Sequence, residues 1–181
     1  MTAPASPEPA SLVDRLRARG RRRGPRPSRP PDAWVLLAAW GPCGFAPVAP
    51  GTFGTLGAIP LYLALSRLPW PAYLAATAAV AIVGVVAADR AGRYWGVADA
   101  SPIVIDEVAG YLVTMAAVPF SWTAALAGFA LFRLLDVTKP WPASAFDRVK
   151  SGFGVVMDDV AAGAWACLAL RLALPLLRGL P

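Results

Sequence analysis

The sequence predicts an all-α protein, a polytopic integral membrane bundle with four or five spans or half-spans. Three observations favour this fold class. Of the 181 residues, 57% are hydrophobic and only 15% are charged, whereas soluble domains usually contain about 25% charged residues. The mean hydropathy is +0.53. The apolar residues are also gathered into separate stretches, and most acidic residues lie in the polar segments between those stretches.

Residues 1–32 are predicted to be a disordered basic tail, and residues 33–181 the membrane domain. The tail is rich in Arg, Pro, Ser and Ala and shows no apolar periodicity. A basic tail beside membrane spans is expected to stay in the cytoplasm and to meet anionic lipid headgroups rather than nucleic acid. Its arginines are Arg15, Arg17, Arg19, Arg21, Arg22, Arg23, Arg26 and Arg29.

Four or five apolar stretches follow the tail, and each is predicted to be a span or a half-span. Pro71–Ala88 is the cleanest, because it contains no charged residue. Several others are shorter than the roughly 20 residues that an upright helix needs to cross a bilayer, so the number of complete spans stays open by one. These others are Leu56–Leu68, Val108–Pro119, Trp122–Leu135 and Val160–Leu177.

The order of the stretches places most acidic residues on one side of the predicted membrane. With a cytoplasmic tail, the loops Asp89–Glu107 and Asp136–Asp159 are also cytoplasmic, and the opposite turns carry almost no charge. We therefore expect a functional site that faces the cytoplasm. The acidic residues on this side are Asp89, Asp99, Asp106, Glu107, Asp136, Asp147, Asp158 and Asp159.

The composition restricts the chemistry of such a site. The chain has no histidine, which excludes histidine acid–base catalysis and histidine metal ligands. Cys43 and Cys167 are far apart and belong to no ligand pattern, so we interpret both as small buried apolar residues. Any metal site must use oxygen ligands, which favours Mg²⁺, Mn²⁺ or Ca²⁺ over zinc.

Two segments begin apolar helices with residues suited to phosphate or metal binding. In residues 49–55, APGTFGT, glycine permits close backbone approach, and Thr52 and Thr55 could donate hydroxyl groups to a phosphate. A helix start with threonine as N-cap is the alternative. Asp106 and Glu107 open the next such helix, either as a functional pair or as a complement to the helix dipole.

A third segment carries charges of both signs. Arg133, Asp136 and Lys139 are spaced by three residues, so they should share one helix face before Pro140 ends the helix. A purely structural salt bridge between Arg133 and Asp136 is the alternative.

Asp158-Asp159 is predicted to open the last span, as Asp106-Glu107 opens the third. Two helices that begin with paired carboxylates on the same side of the membrane could form a divalent cation site made of oxygens. The charge pattern of these segments therefore favours a site for a metal-bound phosphate.

The ordered set of segments resembles the phosphatidylglycerophosphatase A family. APGTFGT, IDEVAGY, FRLLDVTKPWP, FDR and GFGVVMDDVAAG follow one another in the family's order and spacing, from about Trp34 to the last span. The resemblance implies a Mg²⁺-dependent phosphatase of the bacterial inner membrane. Such enzymes convert phosphatidylglycerophosphate to phosphatidylglycerol, a step toward cardiolipin. Cys43 and Val137-Thr138 are mild departures from the family pattern, and neither affects a carboxylate.

The expected site residues follow from the charge pattern and from the family resemblance, and their roles are expectations. A metal-activated water is our first choice of nucleophile, and a carboxylate such as Asp106 is the second. The expected catalytic residues are Asp106, Glu107, Asp136, Lys139 and Asp158. The expected metal ligands are Asp106, Glu107, Asp136, Asp158 and Asp159. The expected phosphate-binding residues are Gly51, Thr52, Gly54, Thr55, Arg133 and Lys139.

Two other classes of protein stay open at this point. A small cation-coupled transporter would carry its acidic residues in the middle of spans, whereas here they are predicted at span ends. A soluble helical relative that binds a phosphorylated metabolite would have amphipathic helices, but Pro71–Ala88 has no polar face. We expect a lipid substrate and no nucleic acid partner, and a homo-oligomer stays open.

Overall fold

The computed structural model describes residues 27–177, and its regular elements are all helices, with no strand among these residues. The all-α prediction is therefore confirmed, whereas residues 1–26 of the predicted tail lie outside the described residues. A short 3₁₀ turn, Cys43–Phe45, joins the first two helices. The helices are α1 (Ala33–Ala38), α2 (Pro50–Leu65), α3 (Trp70–Trp95), α4 (Ile105–Thr114), α5 (Trp122–Thr138), α6 (Ala143–Phe146) and α7 (Gly152–Leu177).

The short helix α4 lies at the centre of the bundle. It packs against α2, α3, α5 and α7, and all of its residues except Val113 are buried. A helix surrounded on all sides needs apolar residues around its whole circumference, which explains the IDEVAGYLVT sequence apart from its acidic start. Helix α7 also packs against α3, α5 and α6, so α4 and α7 together connect the other helices.

Two glycines bring α4 and α7 close together. A Cβ atom on Gly163 would collide with the carbonyl group of Gly110. A Cβ atom on Gly110 would itself lie 2.7 Å from the carbonyl oxygen of Asp159 and would collide with Phe132. The missing side chains let the two backbones approach directly. This contact places the acidic start of α4 beside the acidic residues of α7.

Two of the described helices are long and apolar enough to cross a membrane, Trp70–Trp95 and Gly152–Pro175. The other predicted spans coincide with α2, α4 and α5, which contain 16, 10 and 17 residues. These helices are shorter than an upright span requires. Large apolar side chains are exposed on α3 and α7, including Ile82 at 68% and Leu172 at 72%, as a surface in contact with lipid would require.

The ends of two helices differ from the prediction. Helix α3 continues to Trp95, so Asp89 lies on the helix, where it pairs with Arg93, and not in a loop. Helix α7 begins at Gly152, so Asp158-Asp159 lies about two turns inside it rather than at its start. Oxygen atoms of Asp89 and Ser151 accept hydrogen bonds from the first amides of α7 at 3.4 Å. These acceptors allow the helix to begin ahead of its carboxylates.

Candidate active site

Three buried carboxylates meet where α4 begins beside α7. One oxygen atom from each of Asp106, Glu107 and Asp159 lies within 4.8 Å of the other two. These residues are 3%, 4% and 0% exposed. Negative charges at this depth and spacing repel one another and lose their hydration, so they require a compensating cation or protonation. We call these three residues the carboxylate trio.

The trio fits an oxygen-ligated divalent cation. Oδ1 of Asp106 and Oε2 of Glu107 are buried and receive no hydrogen bond within the described part of the chain. A bound divalent cation would favour the ionised carboxylates and would satisfy the oxygens that lack donors.

Helix α5 places Arg133 and Asp136 against the trio. Nη1 of Arg133 lies 2.7 Å from Oδ2 of Asp136 and 3.5 Å from Oε1 of Glu107. Asp136 is completely buried, whereas the Arg133 side chain is 18% exposed. The Arg133–Asp136 salt bridge that the spacing allows is therefore present. The same guanidinium group also reaches the trio and keeps some access to the surface.

Lys139 reaches the site by a different route from the one predicted. Helix α5 ends at Thr138, and Lys139 adopts a left-handed backbone with φ of 47°. The following Pro140 disfavours the α conformation at Lys139, and a left-handed residue is a common helix ending. The predicted shared helix face is therefore correct for Arg133 and Asp136 and wrong for Lys139. The Lys139 ammonium contacts Asp158 and lies 3.1 Å from Oδ1 of Asp147.

The first turn of α2 closes one side of the trio at Gly51. A Cβ atom at this position would collide with Oε1 of Glu107 and would lie 3.1 Å from Nη1 of Arg133. Glycine is therefore needed for the close approach of α2 to the site. Gly54, one turn later, is similarly pressed against Val104, the residue before α4. The two glycines thus set the position of α2, and their role in binding phosphate stays a prediction.

The two threonines of this segment have different surroundings. Thr55 is completely buried, and its hydroxyl group donates to the carbonyl oxygen of Gly51 at 2.9 Å. Its proton is therefore already used inside α2. Thr52 is only partly buried. Neither residue is the N-cap, because α2 begins at Pro50 after Ala49, which has a left-handed φ of 48°.

The structure thus brings the predicted carboxylates together but divides them into two groups. Asp106, Glu107 and Asp159 form the trio, whereas Asp136 and Asp158 contact the two cations. The roles assigned to these residues in catalysis and metal binding stay predictions.

Asp147 contacts the site although the sequence analysis did not include it among the site residues. It follows the one-turn helix α6 as its C-cap. The FDR segment that contains it belongs to the family pattern, and that signal could have identified it.

Comparisons with known proteins identify the family. The family model of phosphatidylglycerophosphatase A matches residues 36–174. The protein named "Phosphatidylglycerophosphatase A" in Escherichia coli (strain K12) is 40% identical over 134 residues, which cover 73% of this chain and 78% of that protein. Its namesake in Haemophilus influenzae is 38% identical over 138 residues, which cover 75% and 85%.

A third relative carries a different name. It is the "Putative phosphatidylinositol-3-phosphatase" of Bacteroides thetaiotaomicron, 38% identical over 154 residues that cover 80% of this chain and 96% of that protein. No solved structure matches the chain with significance. The matched segment contains α2 to α5 and the whole carboxylate site. The chain therefore belongs to the phosphatidylglycerophosphatase A family of phosphatase enzymes.

Proposed function

We propose that the chain is a Mg²⁺-dependent phosphatase that hydrolyses phosphatidylglycerophosphate to phosphatidylglycerol and inorganic phosphate. The observation that carries this proposal is the carboxylate trio with Arg133 and Lys139 beside it. The names of the Escherichia coli and Haemophilus influenzae relatives support the substrate. The product would serve phospholipid and cardiolipin biosynthesis.

The balance of charge in the site supports a metal-bound phosphate as the ligand. Five buried carboxylates have two basic side chains beside them, so the described site has an excess of negative charge. A phosphate monoester, itself an anion, would be repelled by such a site without further positive charge. Bound Mg²⁺ would supply that charge and would stabilise the negative charge that develops on the phosphate oxygens during hydrolysis.

The residues of the site would have different roles in binding the metal ion and the phosphate group. The trio would hold the metal ion, and Arg133 and Lys139 would bind and orient the phosphate group as charge-assisted donors. Asp136 and Asp158 keep these two cations in place. The burial of the carboxylates limits the access of bulk water, which strengthens each of these electrostatic interactions.

We further propose that the enzyme is a multi-pass protein of the bacterial inner membrane, with its site facing the cytoplasm. Helices α3 and α7 would span the bilayer, and the shorter helices α2, α4 and α5 would complete four or five spans or half-spans. The exposed apolar side chains of α3 and α7 support this placement. The acyl chains of the substrate would remain in the lipid while its headgroup enters the site.

The two alternative classes can be separated from this proposal. Acidic residues at the ends of spans would disfavour a transporter. Because Asp158-Asp159 lies inside α7, the positions of the acidic residues no longer separate a transporter from an enzyme. Membership of a phosphatase family favours the enzyme instead. Extraction at high pH tests the soluble alternative, because release of the protein from membranes by carbonate would contradict an integral membrane protein.

Phosphate release by the purified protein in detergent micelles tests the proposed activity. We expect hydrolysis of phosphatidylglycerophosphate with Mg²⁺ and none with EDTA. Asp106→Asn, Asp136→Asn and Asp158→Asn should each remove most of the activity while the protein still inserts into membranes. Full activity in EDTA, or in all three variants, would refute the site.

A second substrate deserves a parallel assay because of the Bacteroides thetaiotaomicron relative, whose name specifies phosphatidylinositol 3-phosphate as its substrate. Both lipids carry a phosphate monoester, which is the group that the site would bind. We expect the larger kcat/KM for phosphatidylglycerophosphate. A preference for phosphatidylinositol 3-phosphate would retain the phosphatase chemistry and overturn the proposed substrate.

A further inference from the structure

Two carboxylates share the ammonium group of Lys139. The buried Asp158 contacts it, and Oδ1 of the more exposed Asp147 lies 3.1 Å from its nitrogen atom. The side chain of Asp158 is 6% exposed, whereas that of Asp147 is 33% exposed. The ammonium group therefore lies between the interior of the carboxylate cluster and the surface.

The backbone does not determine where this ammonium group lies. Lys139 follows the end of α5, and its side chain has four rotatable bonds with many accessible conformations. The position of the nitrogen atom is therefore set by the carboxylates that bind it. Without Asp147, the attraction of the buried carboxylates, including Asp158, would draw the ammonium group toward the interior and away from an entering phosphate.

Asp147, in contrast, is held by main-chain contacts that do not involve Lys139. Its amide donates to the carbonyl oxygen of Ala143 at 3.0 Å, at the end of α6. Its own carbonyl oxygen accepts a hydrogen bond from Nζ of Lys150 at 2.6 Å. Helix α6 packs against α7, which carries Asp158. The separation of the two carboxylates is therefore a property of the fold.

We propose that Asp147 is a positioning residue, which holds the Lys139 ammonium group at the mouth of the site where the substrate phosphate binds. This inference rests on the proposed phosphatase function and adds a residue to it. A partly exposed ion pair is weak, so Asp147 can release the ammonium group to a phosphate oxygen while Asp158 keeps its contact. Asp147 acts through Lys139 and does not touch the reacting atoms.

Amine labelling tests the inference without an activity assay. The chain has two lysines, Lys139 and Lys150, so a mass spectrum of the labelled, detergent-solubilised protein reports each one separately. With Mg²⁺ present, inorganic phosphate should slow the labelling of Lys139 and leave that of Lys150 unchanged. In Asp147→Asn, the phosphate concentration that gives half of this protection should rise about tenfold, which corresponds to the loss of one oriented charged contact.

Two variants control this experiment. Asp147→Glu keeps the charge and should restore much of the protection by phosphate. Asp99→Asn removes the charge of another partly buried aspartate, in the segment between α3 and α4. In this variant, the protection by phosphate should equal that in the protein without substitutions. An equal effect of Asp99→Asn and Asp147→Asn would overturn the inference, because it would show a general effect of charge.

Kinetics with the phospholipid substrate give the second readout. Asp147→Asn should raise KM about tenfold with a smaller change in kcat, since binding of the phosphate is what weakens. In a Lys139→Met background, which lacks the labelled amine, Asp147→Asn should have no further effect on KM.

The two proposals fail in different ways. If no phospholipid is hydrolysed although phosphate still protects Lys139, the proposed function fails and the labelling still decides the role of Asp147. If hydrolysis occurs but Asp147→Asn leaves both the protection and KM unchanged, the inference about Asp147 is overturned.

Discussion

The two pairs of adjacent carboxylates, Asp106-Glu107 and Asp158-Asp159, occupy different positions on their helices. The first pair lies in the first turn of α4, whereas the second lies about two turns inside α7. In each pair one member contacts a cation, since Glu107 lies near Arg133 and Asp158 contacts Lys139. Adjacent residues on a helix point about 100° apart, so a pair can serve two different partners.

The difference between the pairs concerns their stabilisation. Carboxylates in the first turn of a helix benefit from the unpaired amides and the positive end of the helix dipole. The pair in α4 has this benefit, and the pair in α7 does not. We therefore expect the α7 pair to depend more strongly on Lys139 and on a bound metal ion. Substitutions in and around each pair can test this difference.

Loss of one trio carboxylate should have the largest effect. We expect Asp106→Asn and Asp159→Asn to lower kcat/KM more than about 100-fold, because the metal site loses a ligand charge. Asp158→Asn should cost less, about tenfold, since the trio remains complete. The increase in Tm on addition of Mg²⁺ provides an independent measurement. It should persist in Asp158→Asn and disappear in the other two variants, and equal behaviour of all three would contradict the division of roles.

Gly51→Ala should come next, because it alters the surroundings of one pair without changing a charge. The added Cβ atom would collide with Oε1 of Glu107, so α2 or the carboxylate must move. We expect a loss of kcat/KM of about tenfold or more, consistent with small displacements in an active site. Gly84→Ala is the matched control, since its Cβ atom would lie 3.4 Å from the nearest side-chain atom. Similar losses in both variants would indicate a general packing defect.

The stability of the protein in EDTA should depend on pH, because no metal ion then neutralises the trio. Oxygen atoms of the three buried carboxylates lie within 4.8 Å of one another, so ionisation of all three destabilises the folded protein more than the unfolded chain. Stability is therefore lost as a rising pH ionises these groups. In EDTA, Tm should therefore fall as the pH is raised.

Addition of Mg²⁺ should reverse this fall, with the largest increase in Tm at the highest pH, since the metal binds the ionised carboxylates. Asp106→Asn should weaken the pH dependence in EDTA, because the variant side chain does not titrate. A Tm in EDTA that rises with pH would contradict the mutual repulsion of the buried carboxylates in the trio.

Thr55→Val should have the smallest effect, because it removes a hydroxyl group that the structure uses inside α2. Thr55 donates to the carbonyl oxygen of Gly51, so its loss should reduce the free energy of unfolding by about 1 kcal/mol. We expect kcat/KM to change less than about twofold. Denaturation in detergent and the phosphatase assay check the two values. A large rise in KM would instead support the predicted contact between Thr55 and the substrate phosphate.

The all-helical class, the family and the residues that could bind a divalent cation can be read from the amino-acid sequence alone. These conclusions depend on composition and on local spacing, both of which are readable along the chain. The absence of histidine and the paired carboxylates in apolar surroundings already favoured oxygen ligands. The first of the two long apolar helices was also visible, as the uncharged run Pro71–Ala88, and the second as an apolar stretch interrupted by Arg171.

The grouping of these residues depends instead on how the helices pack against one another. The trio forms because Gly110 and Gly163 let α4 and α7 approach closely, and that contact joins residues about fifty positions apart in the chain. The left-handed ending at Lys139 turns its side chain toward Asp158 and Asp147, where a continued helix would have aligned it with Asp136. Spacing along one helix reports which residues share a face, whereas contacts between helices depend on packing that local sequence does not specify.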